Sequence, residues 1–198
     1  MKKVDYIIVG DGYAALFFAH QLIKNNKSFY LFSEGKKSAS FVSAGIVNPA
    51  VLKRFTTFWL AQEQIDSLKK TLSEIEGYTH KNYLIEKPIL RVFHDKKEKE
   101  LWLKKSNEIS FLSNDFIKIN SIKNPFGCGK VNHSARLNVR DFFTDLMNYL
   151  EQNSHLIKEK FDYDLINTEN NSYKYLSFKN LIFCEGVASD HNPYFKEI

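Results

Sequence analysis

The strongest structural signal in the sequence is the stretch Val4-Asp5-Tyr6-Ile7-Ile8-Val9-Gly10-Asp11-Gly12-Tyr13-Ala14-Ala15. Its first half is a short apolar run that ends at a glycine, which is typical of a buried strand. A helical pattern follows from Tyr13 to Asn25, and the aromatic stretch from Ser28 to Phe32 predicts a second strand. The order strand, glycine turn, helix, strand indicates an α/β domain with a parallel sheet.

The glycine turn has the pattern G-x-G-x-x-A, formed by Gly10, Gly12 and Ala15. Glycine at the first position permits a tight turn, and glycine at the second lets the backbone approach a pyrophosphate. Alanine at the last position allows the helix to pack closely on the strand. The first helical turn, with Tyr13 and Ala14, offers unpaired N–H groups and the positive end of the helix dipole. The motif therefore predicts a dinucleotide-binding site made of these five residues.

An acidic residue is expected about 20 residues further on, where it would hold a ribose hydroxyl. Glu34 lies 19 residues after Ala15, whereas counting from Gly10 places Ser33 at the tip of the second strand. A serine hydroxyl can accept from ribose more weakly than a carboxylate, and Glu34 can serve if the strand ends one residue later. The sequence leaves Ser33 and Glu34 as alternative ribose contacts.

Composition narrows the class of protein. The chain has 198 residues, of which 43% are hydrophobic and 26% are charged, and its net charge is +5. This size suits one domain or slightly more. The apolar runs are shorter than the roughly 18 residues of a membrane span, and Met1 leads almost directly into the first strand, so we expect a soluble cytoplasmic protein. Basic residues are spread along the chain without a one-sided stripe, which argues against a nucleic-acid binder.

Other residue combinations give weaker signals. Cys128 and Cys184 are too few and too far apart for a disulfide scaffold, and the six histidines lack metal-site spacing, so no metal is expected. The run Ser189-Asp190-His191 contains the residue types of a hydrolytic triad, but three adjacent residues rarely share one proton path. Lys53 and Arg54 either attract an anionic substrate or form a solvent-facing pair.

The rest of the chain predicts a mixed series of elements without an internal repeat. The predicted helices are 56–75, 96–107 and 138–152, and the predicted strands are two pieces around Pro88 within 83–93, short antiparallel strands within 108–136, and strands 155–163, 173–178 and 180–184. Residues 34–51 are expected to form an ordered loop. This order predicts a nucleotide-binding domain that is interrupted by part of a second domain.

The segment after the acidic residue, Ala39-Ser40-Phe41-Val42-Ser43-Ala44-Gly45-Ile46, resembles a loop of the FAD-dependent D-amino-acid oxidase and glycine oxidase superfamily. Further patterns similar to that superfamily are Asn48-Pro49, Lys53-Arg54-Phe55-Thr56 with Trp59, Arg136-Leu137-Asn138-Val139, Leu181-Ile182-Phe183-Cys184-Glu185-Gly186 and Asn192-Pro193-Tyr194-Phe195. The resemblance runs from Val4 to Phe195, and the first 50 residues are its most specific part.

The resemblance implies FAD as the cofactor and an α/β fold. A Rossmann-like FAD-binding domain, with a parallel sheet and helices, would be interrupted by part of an antiparallel-sheet substrate domain. The loop and the last strand would add the cofactor-binding residues Ser40, Ala44, Gly45, Ile46 and Gly186. The serines of the loop can also donate hydrogen bonds to anionic oxygens without adding charge.

Under this resemblance, residues 1–78 form the first segment of the FAD-binding domain, 79–135 part of the substrate domain and 136–198 the second FAD-binding segment. The implied activity is oxidation of a small amine or amino acid, with the flavin accepting a hydride from the substrate's C–N bond. The chain is expected to be truncated, so that a second chain would supply the missing C-terminal part. The sequence assigns neither the substrate nor any catalytic residue.

Two alternatives accompany this interpretation. The first is a catalytically inert fragment that binds FAD or another nucleotide. The second is an NAD-binding Rossmann protein, which is disfavoured by the serine-rich loop and by the lack of alternating strand and helix patterns after residue 52.

Overall fold

The computed structural model describes residues 1–36 and 38–195. The α-helices are α1 (Tyr13–Lys24), α2 (Ala61–Thr79), α3 (Lys96–Ser106) and α4 (Val139–Gln152). The strands are β1 (Lys2–Val9), β2 (Phe29–Phe32), β3 (Ile46–Val47), β4 (Ala50–Val51), β5 (Thr56–Thr57), β6 (Leu84–Glu86), β7 (Ile89–Val92), β8 (Leu112–Ile117), β9 (Cys128–Val131), β10 (Ala135–Leu137), β11 (Leu156–Ile157), β12 (Ile166–Asn167), β13 (Ser172–Tyr173) and β14 (Leu176–Phe183). Short 3₁₀ helices cover Tyr163–Leu165, Gly186–His191 and Pro193–Phe195. Of the described helices, none combines the length and the apolar character that a membrane span requires.

The chain forms two compact units. Residues 1–43 and 140–198 form one, which we term the sheet unit, and residues 44–139 form the other, the insert unit. The first boundary thus follows Ser43, whereas the sequence placed it after Tyr78, and the second follows Val139 rather than Ala135. The earlier boundary has a packing reason, because Ala61 and Ile65 of α2 pack on Phe111 within the insert unit. The division into FAD-binding and substrate domains stays a prediction.

The sheet unit is built on a six-stranded sheet with the order β11-β2-β1-β14-β13-β12. Strand β1 pairs in parallel with β2 on one side and with β14 on the other, and β2 pairs in parallel with β11. The β12–β13–β14 side is antiparallel. The apolar residues of β1 explain its central place, because Ile7 and Ile8 are fully buried between two neighbouring strands. The α/β class and the parallel opening that the sequence predicted are confirmed.

Aromatic side chains fill much of the sheet unit. Phe32 and Phe161 pack on one face of the sheet with Tyr173, and the rings of Phe161 and Tyr173 stack with centroids 4.2 Å apart. Helices α1 and α4 pack through rings as well, with the centroids of Phe17 and Phe142 5.5 Å apart. Such ring pairs contribute about 0.5–1.5 kcal/mol beyond the area that they bury.

The sheets among the described residues of the insert unit are small and antiparallel. Their strand orders are β3-β10-β6, β4-β5 and β7-β9-β8. The core of this unit is centred on Trp102 of α3, which is fully buried and contacts the rings of Phe55 and Phe93. The indole Nε1 donates to the carbonyl oxygen of Ser113 at 2.9 Å, so burial leaves no polar atom of this ring unsatisfied. Asp95 is the N-cap residue of α3, and its side chain accepts a hydrogen bond from the Glu98 N–H at 2.7 Å.

The bounds of α2 differ from the prediction of 56–75. The helix begins at Ala61, because Thr56 and Thr57 pair with Val51 and Ala50 as β5 and Leu60 has a left-handed φ of 48°. Gly77 suggested an end near Ile75, yet the helix continues to Thr79. The left-handed residue that ends it is His80, whose N–H donates to the Glu76 carbonyl at 2.8 Å.

The strands near the C-terminal end also differ from the prediction. The predicted strand 155–163 is reduced to β11, because only Leu156 and Ile157 find partners on the short β2. The two predicted strands 173–178 and 180–184 are instead a short β13, a turn at Lys174 and Tyr175, and one continuous β14. Pairing along almost the whole of β1 keeps β14 uninterrupted. Within the predicted loop 34–51, the short strands β3 and β4 form.

The packing around Trp102 gives a stability prediction. A Cβ added at Gly129 would lie 2.4 Å from Cε2 of Trp102, so we expect Gly129→Ala to lower the free energy of unfolding by about 2 kcal/mol through overpacking. Urea unfolding measures the change. Gly77→Ala is the matched control: no described atom lies within 4 Å of its added Cβ, and it should stabilise α2 by about 0.5–1 kcal/mol. Equal effects of the two variants would contradict the packing.

Candidate nucleotide-binding site

The site begins where β1 ends at Gly10. Gly10 has a φ of +111°, a backbone conformation that side chains disfavour. A Cβ added there would lie 2.3 Å from the carbonyl oxygen of Cys184, at the end of β14. The Gly10 N–H donates to the Phe32 carbonyl of β2 at 3.0 Å. Glycine is therefore required at this position by the close approach of three strand ends.

Gly12 has a different role. It is the N-cap residue of α1 with extended backbone, and among the described residues only Ser40 lies within 4 Å of an added Cβ, with its Oγ at 3.1 Å. The fold itself leaves room at Gly12, apart from this one hydroxyl. The first turn of α1 has no acidic residue; its first N–H, that of Tyr13, donates to Ser40, and the N–H groups that follow it, with the positive end of the helix dipole, can receive an anion. Ala14 is exposed in this turn, and Ala15 is fully buried.

Ser33 and Glu34 differ sharply in their surroundings. Ser33 is only 3% exposed, and its Oγ donates to Oδ2 of Asp11 at 2.5 Å and accepts from the Gly35 N–H at 3.0 Å. The side chain of Glu34 is 35% exposed and pairs with Lys36. The serine hydroxyl thus holds the glycine turn to the loop after β2, whereas the carboxylate of Glu34 is engaged by one highly exposed lysine side chain.

A cavity of about 390 Å³ lies at the carboxyl ends of the parallel strands of the sheet unit, and we term it the strand-end cavity. Ligands of open parallel sheets bind at this edge. The residues that line it near the glycine turn are Gly10, Asp11, Glu34 and Ser38. The lining residues after β11 and β14 are Glu159, Lys160, Phe161, Tyr163, Glu185, Ala188 and His191. The volume falls within the range of small-molecule sites.

The carboxylate of Glu185 is fixed by two donors. Its Oε1 accepts from the Tyr163 hydroxyl, and its Oε2 accepts from Nδ2 of the fully buried Asn192 at 2.7 Å. Burial, together with this hydrogen bond to Glu185, raises the pKa of Tyr163 well above its ordinary value, so the phenol stays protonated and keeps donating. Burial also raises the pKa of the Cys184 thiol, which makes this cysteine a poor thiolate nucleophile.

The serines after β2 form hydrogen bonds around the glycine turn. The Tyr13 N–H donates to Ser40 Oγ at 3.3 Å, and the Tyr13 hydroxyl lies 2.9 Å from Ser43 Oγ. Ser38 Oγ accepts from the Phe41 N–H at 3.2 Å. The ring of Tyr13 also packs edge-on against Phe143, with centroids 5.0 Å apart. Tyr13 thereby ties the loop to the start of α1, in addition to its place in the motif.

Ala44, Gly45 and Ile46 belong to the insert unit. A Cβ at Gly45 would lie 2.4 Å from the Leu137 carbonyl oxygen, and Gly45 has a φ of +66°. Packing within the insert unit therefore accounts for glycine at this position. Ala44 and Ile46 are exposed, and Ile46 pairs with Arg136 across β3 and β10. Gly186, in the sheet unit, has a φ of +58° with no described atom within 4 Å of an added Cβ.

The sequence motifs missed several residues of the strand-end cavity. Asp11 occupies a variable position of the glycine motif. Glu185 directly precedes Gly186, and the sequence pattern pointed to the glycine alone. The rule that ligands bind at the carboxyl ends of parallel strands could have found Glu185, because it follows the last strand. Glu159 and Tyr163 were hidden by the overlong strand predicted for 155–163. Among the described residues, no group of three or more His, Cys, Asp or Glu could hold a metal ion.

Solved structures of similar fold connect this architecture with known proteins. They include glycine oxidase from Geobacillus kaustophilus (15% identity, 93% of this chain and 56% of that chain covered, TM-score 0.64). They also include L-amino acid deaminase from Proteus myxofaciens in complex with anthranilate (13% identity, 96% and 47%, TM-score 0.68). A third is L-α-glycerophosphate oxidase from Mycoplasma pneumoniae with FAD bound (18% identity, 96% and 56%, TM-score 0.62).

These likenesses establish the fold. The chain shares with these structures a mixed α/β fold that contains a parallel sheet and helices. It spans about half the length of the structures that it matches. No family model matches the chain.

We expect different losses of stability when Gly10, which directly follows β1, and Gly186, which begins a 3₁₀ helix, are each replaced by alanine. Gly10→Ala combines a disfavoured backbone with a clash against the Cys184 carbonyl, so we expect a loss of about 3 kcal/mol in the free energy of unfolding. Gly186→Ala has only the backbone strain and should lose about 1 kcal/mol. Urea unfolding of both variants measures the difference. A loss at Gly186 as large as that at Gly10 would show that the strand-end contact is not the cause.

Proposed function

We propose that this chain binds FAD and is part of an oxidoreductase that oxidises an amine or amino acid. The observation that carries the proposal is a combination of three features. There is space beside Gly12, the N-terminus of α1 follows it directly, and the strand-end cavity lies next to this turn. A pyrophosphate needs close backbone approach and unpaired N–H groups, and this turn offers both.

The residues of the sheet unit suit the adenosine and pyrophosphate half of FAD. The N–H groups that follow Tyr13 at the start of α1 would receive the pyrophosphate over Gly12, with Ser40, which accepts from the Tyr13 N–H, as a neighbouring hydroxyl. Glu34 would hold the ribose hydroxyls, since its partner Lys36 is a highly exposed lysine that a ligand can displace, while Ser33 is bonded to Asp11 and Gly35. The resemblance noted in the sequence adds Ala44, Gly45, Ile46 and Gly186 as residues toward the flavin.

The chemical step would rest on the cofactor. When bound, FAD supplies an acceptor for a hydride from the substrate carbon next to nitrogen. Glycine oxidase and L-amino acid deaminase among the structures of similar fold support an amine or amino-acid substrate, whereas the third is named for glycerophosphate. The choice of the amine class therefore rests on the first two and on the sequence resemblance. The proposed role of this chain is to bind and orient the cofactor.

A second candidate function is nucleotide binding without turnover. It is favoured by two observations: the residues proposed for the adenosine and pyrophosphate lie within the sheet unit, and the chain spans about half the length of the structures it matches. A further polypeptide segment, on this chain or another, would then complete the substrate site. Mixing flavin-loaded protein with glycine and with a range of D- and L-amino acids, without oxygen, separates the two candidates, because only the oxidoreductase loses its visible flavin absorbance.

Gly12 gives the direct test of cofactor binding. We expect the purified chain to take up FAD and to change its absorption and fluorescence, and Gly12→Val to abolish uptake because two methyl groups occupy the pyrophosphate position. NAD should compete poorly. Gly77→Ala, in α2, is the control and should bind FAD as the parent does. Far-UV circular dichroism verifies that Gly12→Val is folded, and unchanged FAD uptake by this folded variant would overturn the pyrophosphate assignment.

The ribose contact gives a second test. We expect Glu34→Gln to weaken FAD and ADP binding by roughly tenfold, because a hydrogen bond to a carboxylate is replaced by one to a neutral amide. Ser33→Ala should weaken binding less, since its hydroxyl is directed at Asp11 and Gly35. Titration calorimetry of both variants measures the difference. A larger loss of ADP affinity for Ser33→Ala, at unchanged stability, would assign the ribose contact to Ser33.

A further inference from the structure

The insert unit contains a polar cavity that the proposed FAD site does not use. It has a volume of about 390 Å³ and lies beside α2, the β6–β7 connection and the β9–β10 turn. The residues that define it are Lys69, Glu86, Lys87, Lys130, Asn132 and His133, and we term it the lysine cavity. All of them belong to the insert unit, whereas the pyrophosphate and ribose residues proposed above belong to the sheet unit.

The charges of the lysine cavity are unbalanced. Lys69 Nζ donates to Oε1 of Glu86 at 2.6 Å, which neutralises the one acidic side chain of the lining. Within the part of the chain that the structure describes, the ammonium groups of Lys87 and Lys130 have neither an ion pair nor a hydrogen-bond partner. The cavity therefore carries two uncompensated positive charges before any contribution from His133.

The wall of the cavity is held in place by buried polar contacts. Ser134 Oγ accepts from the Ile89 N–H at 2.8 Å, and it lies 3.0 Å from the carbonyl oxygen of Val131, to which it can donate. The Asn132 N–H donates to the Phe111 carbonyl at 2.7 Å. His133 has a left-handed φ of 58°, and its ring packs edge-on against Phe111. The turn between β9 and β10 is thus fixed from both sides, so the cavity is formed without a ligand.

We propose that the lysine cavity binds a phosphorylated small molecule, with Lys87 and Lys130 as the groups that contact its phosphate. A phosphomonoester carries a charge of about −1.5 to −2 near neutral pH, which matches two unpaired ammonium groups. Lysine binds phosphate as a compact point charge with three donors, and no rigid fork geometry is needed. The cavity exceeds the size of a phosphate group alone, which leaves space for a small organic part.

The test is an NMR titration of the whole ¹⁵N-labelled chain with inorganic phosphate and with O-phosphoserine, against serine and malonate as probes without phosphate. We expect both phosphates to shift the amide signals of Asn132, His133 and Ser134, and O-phosphoserine to bind more tightly. Serine should cause no shift. Added sodium chloride should weaken binding, because screening reduces the attraction between partly exposed charges.

The double variant K87Q/K130Q should weaken phosphoserine binding by roughly tenfold, as expected for the loss of two partly exposed charge contacts. The control K118Q/K123Q removes the same charge from exposed positions of the insert unit outside the cavity and should leave binding unchanged. If the double variant does not fold, K87Q alone must weaken binding by roughly threefold, since Lys87 is exposed.

Three results would overturn the proposal. The first is no shift of the turn amides at saturating phosphate, and the second is equal weakening by the two double variants, which would indicate general charge attraction. The third is a stronger response to malonate, or to a short RNA, than to phosphoserine. None of these measurements requires bound FAD. The proposal for the lysine cavity and the proposal for the FAD site can therefore each be overturned without affecting the other.

Discussion

The structure depends on the parallel pairing of β1 with β14. The register runs from Lys2 beside Leu176 to Val9 beside Phe183, so strands from opposite ends of the described chain lie side by side at the centre of the sheet. The Cys184 N–H donates to the Val9 carbonyl at 2.7 Å, which continues the pairing to the strand ends. Closing so long a loop is entropically unfavourable, and the buried apolar residues of both strands offset that cost.

This pairing also creates the candidate site. Because β1, β2, β11 and β14 are parallel, their carboxyl ends meet at one edge of the sheet. Gly10 follows the first of these strands, Glu34 the second and Glu185 the last. Gly10 is held so close to Cys184 that a single added carbon would clash. The parallel strands on either side of β1 thus bring Glu34 and Glu185 to a common cavity.

Local patterns predicted the elements whose stability is local. The glycine turn, α1, α3 and α4 were placed within a residue or two: the turn by its glycine spacing, α1 and α4 by an apolar stripe, and α3 by its run of charged residues. Tertiary pairing overruled the prediction elsewhere. Thr56 and Thr57 form strand β5 instead of starting α2, and Gly77 lies inside that helix instead of ending it. Strand β11 is shorter than the predicted strand 155–163, because β2 offers it few partners.

The sequence by itself determined the glycine turn and the α/β class, because both follow from side-chain size and local periodicity. Only the tertiary structure shows how two neighbouring residues differ: Ser33 is bonded to Asp11, far away in sequence, while Glu34 lines the strand-end cavity and pairs with Lys36. It also gave Gly45 a packing reason, the Leu137 carbonyl. These outcomes depend on partners that are distant along the chain, and no local pattern specifies such partners.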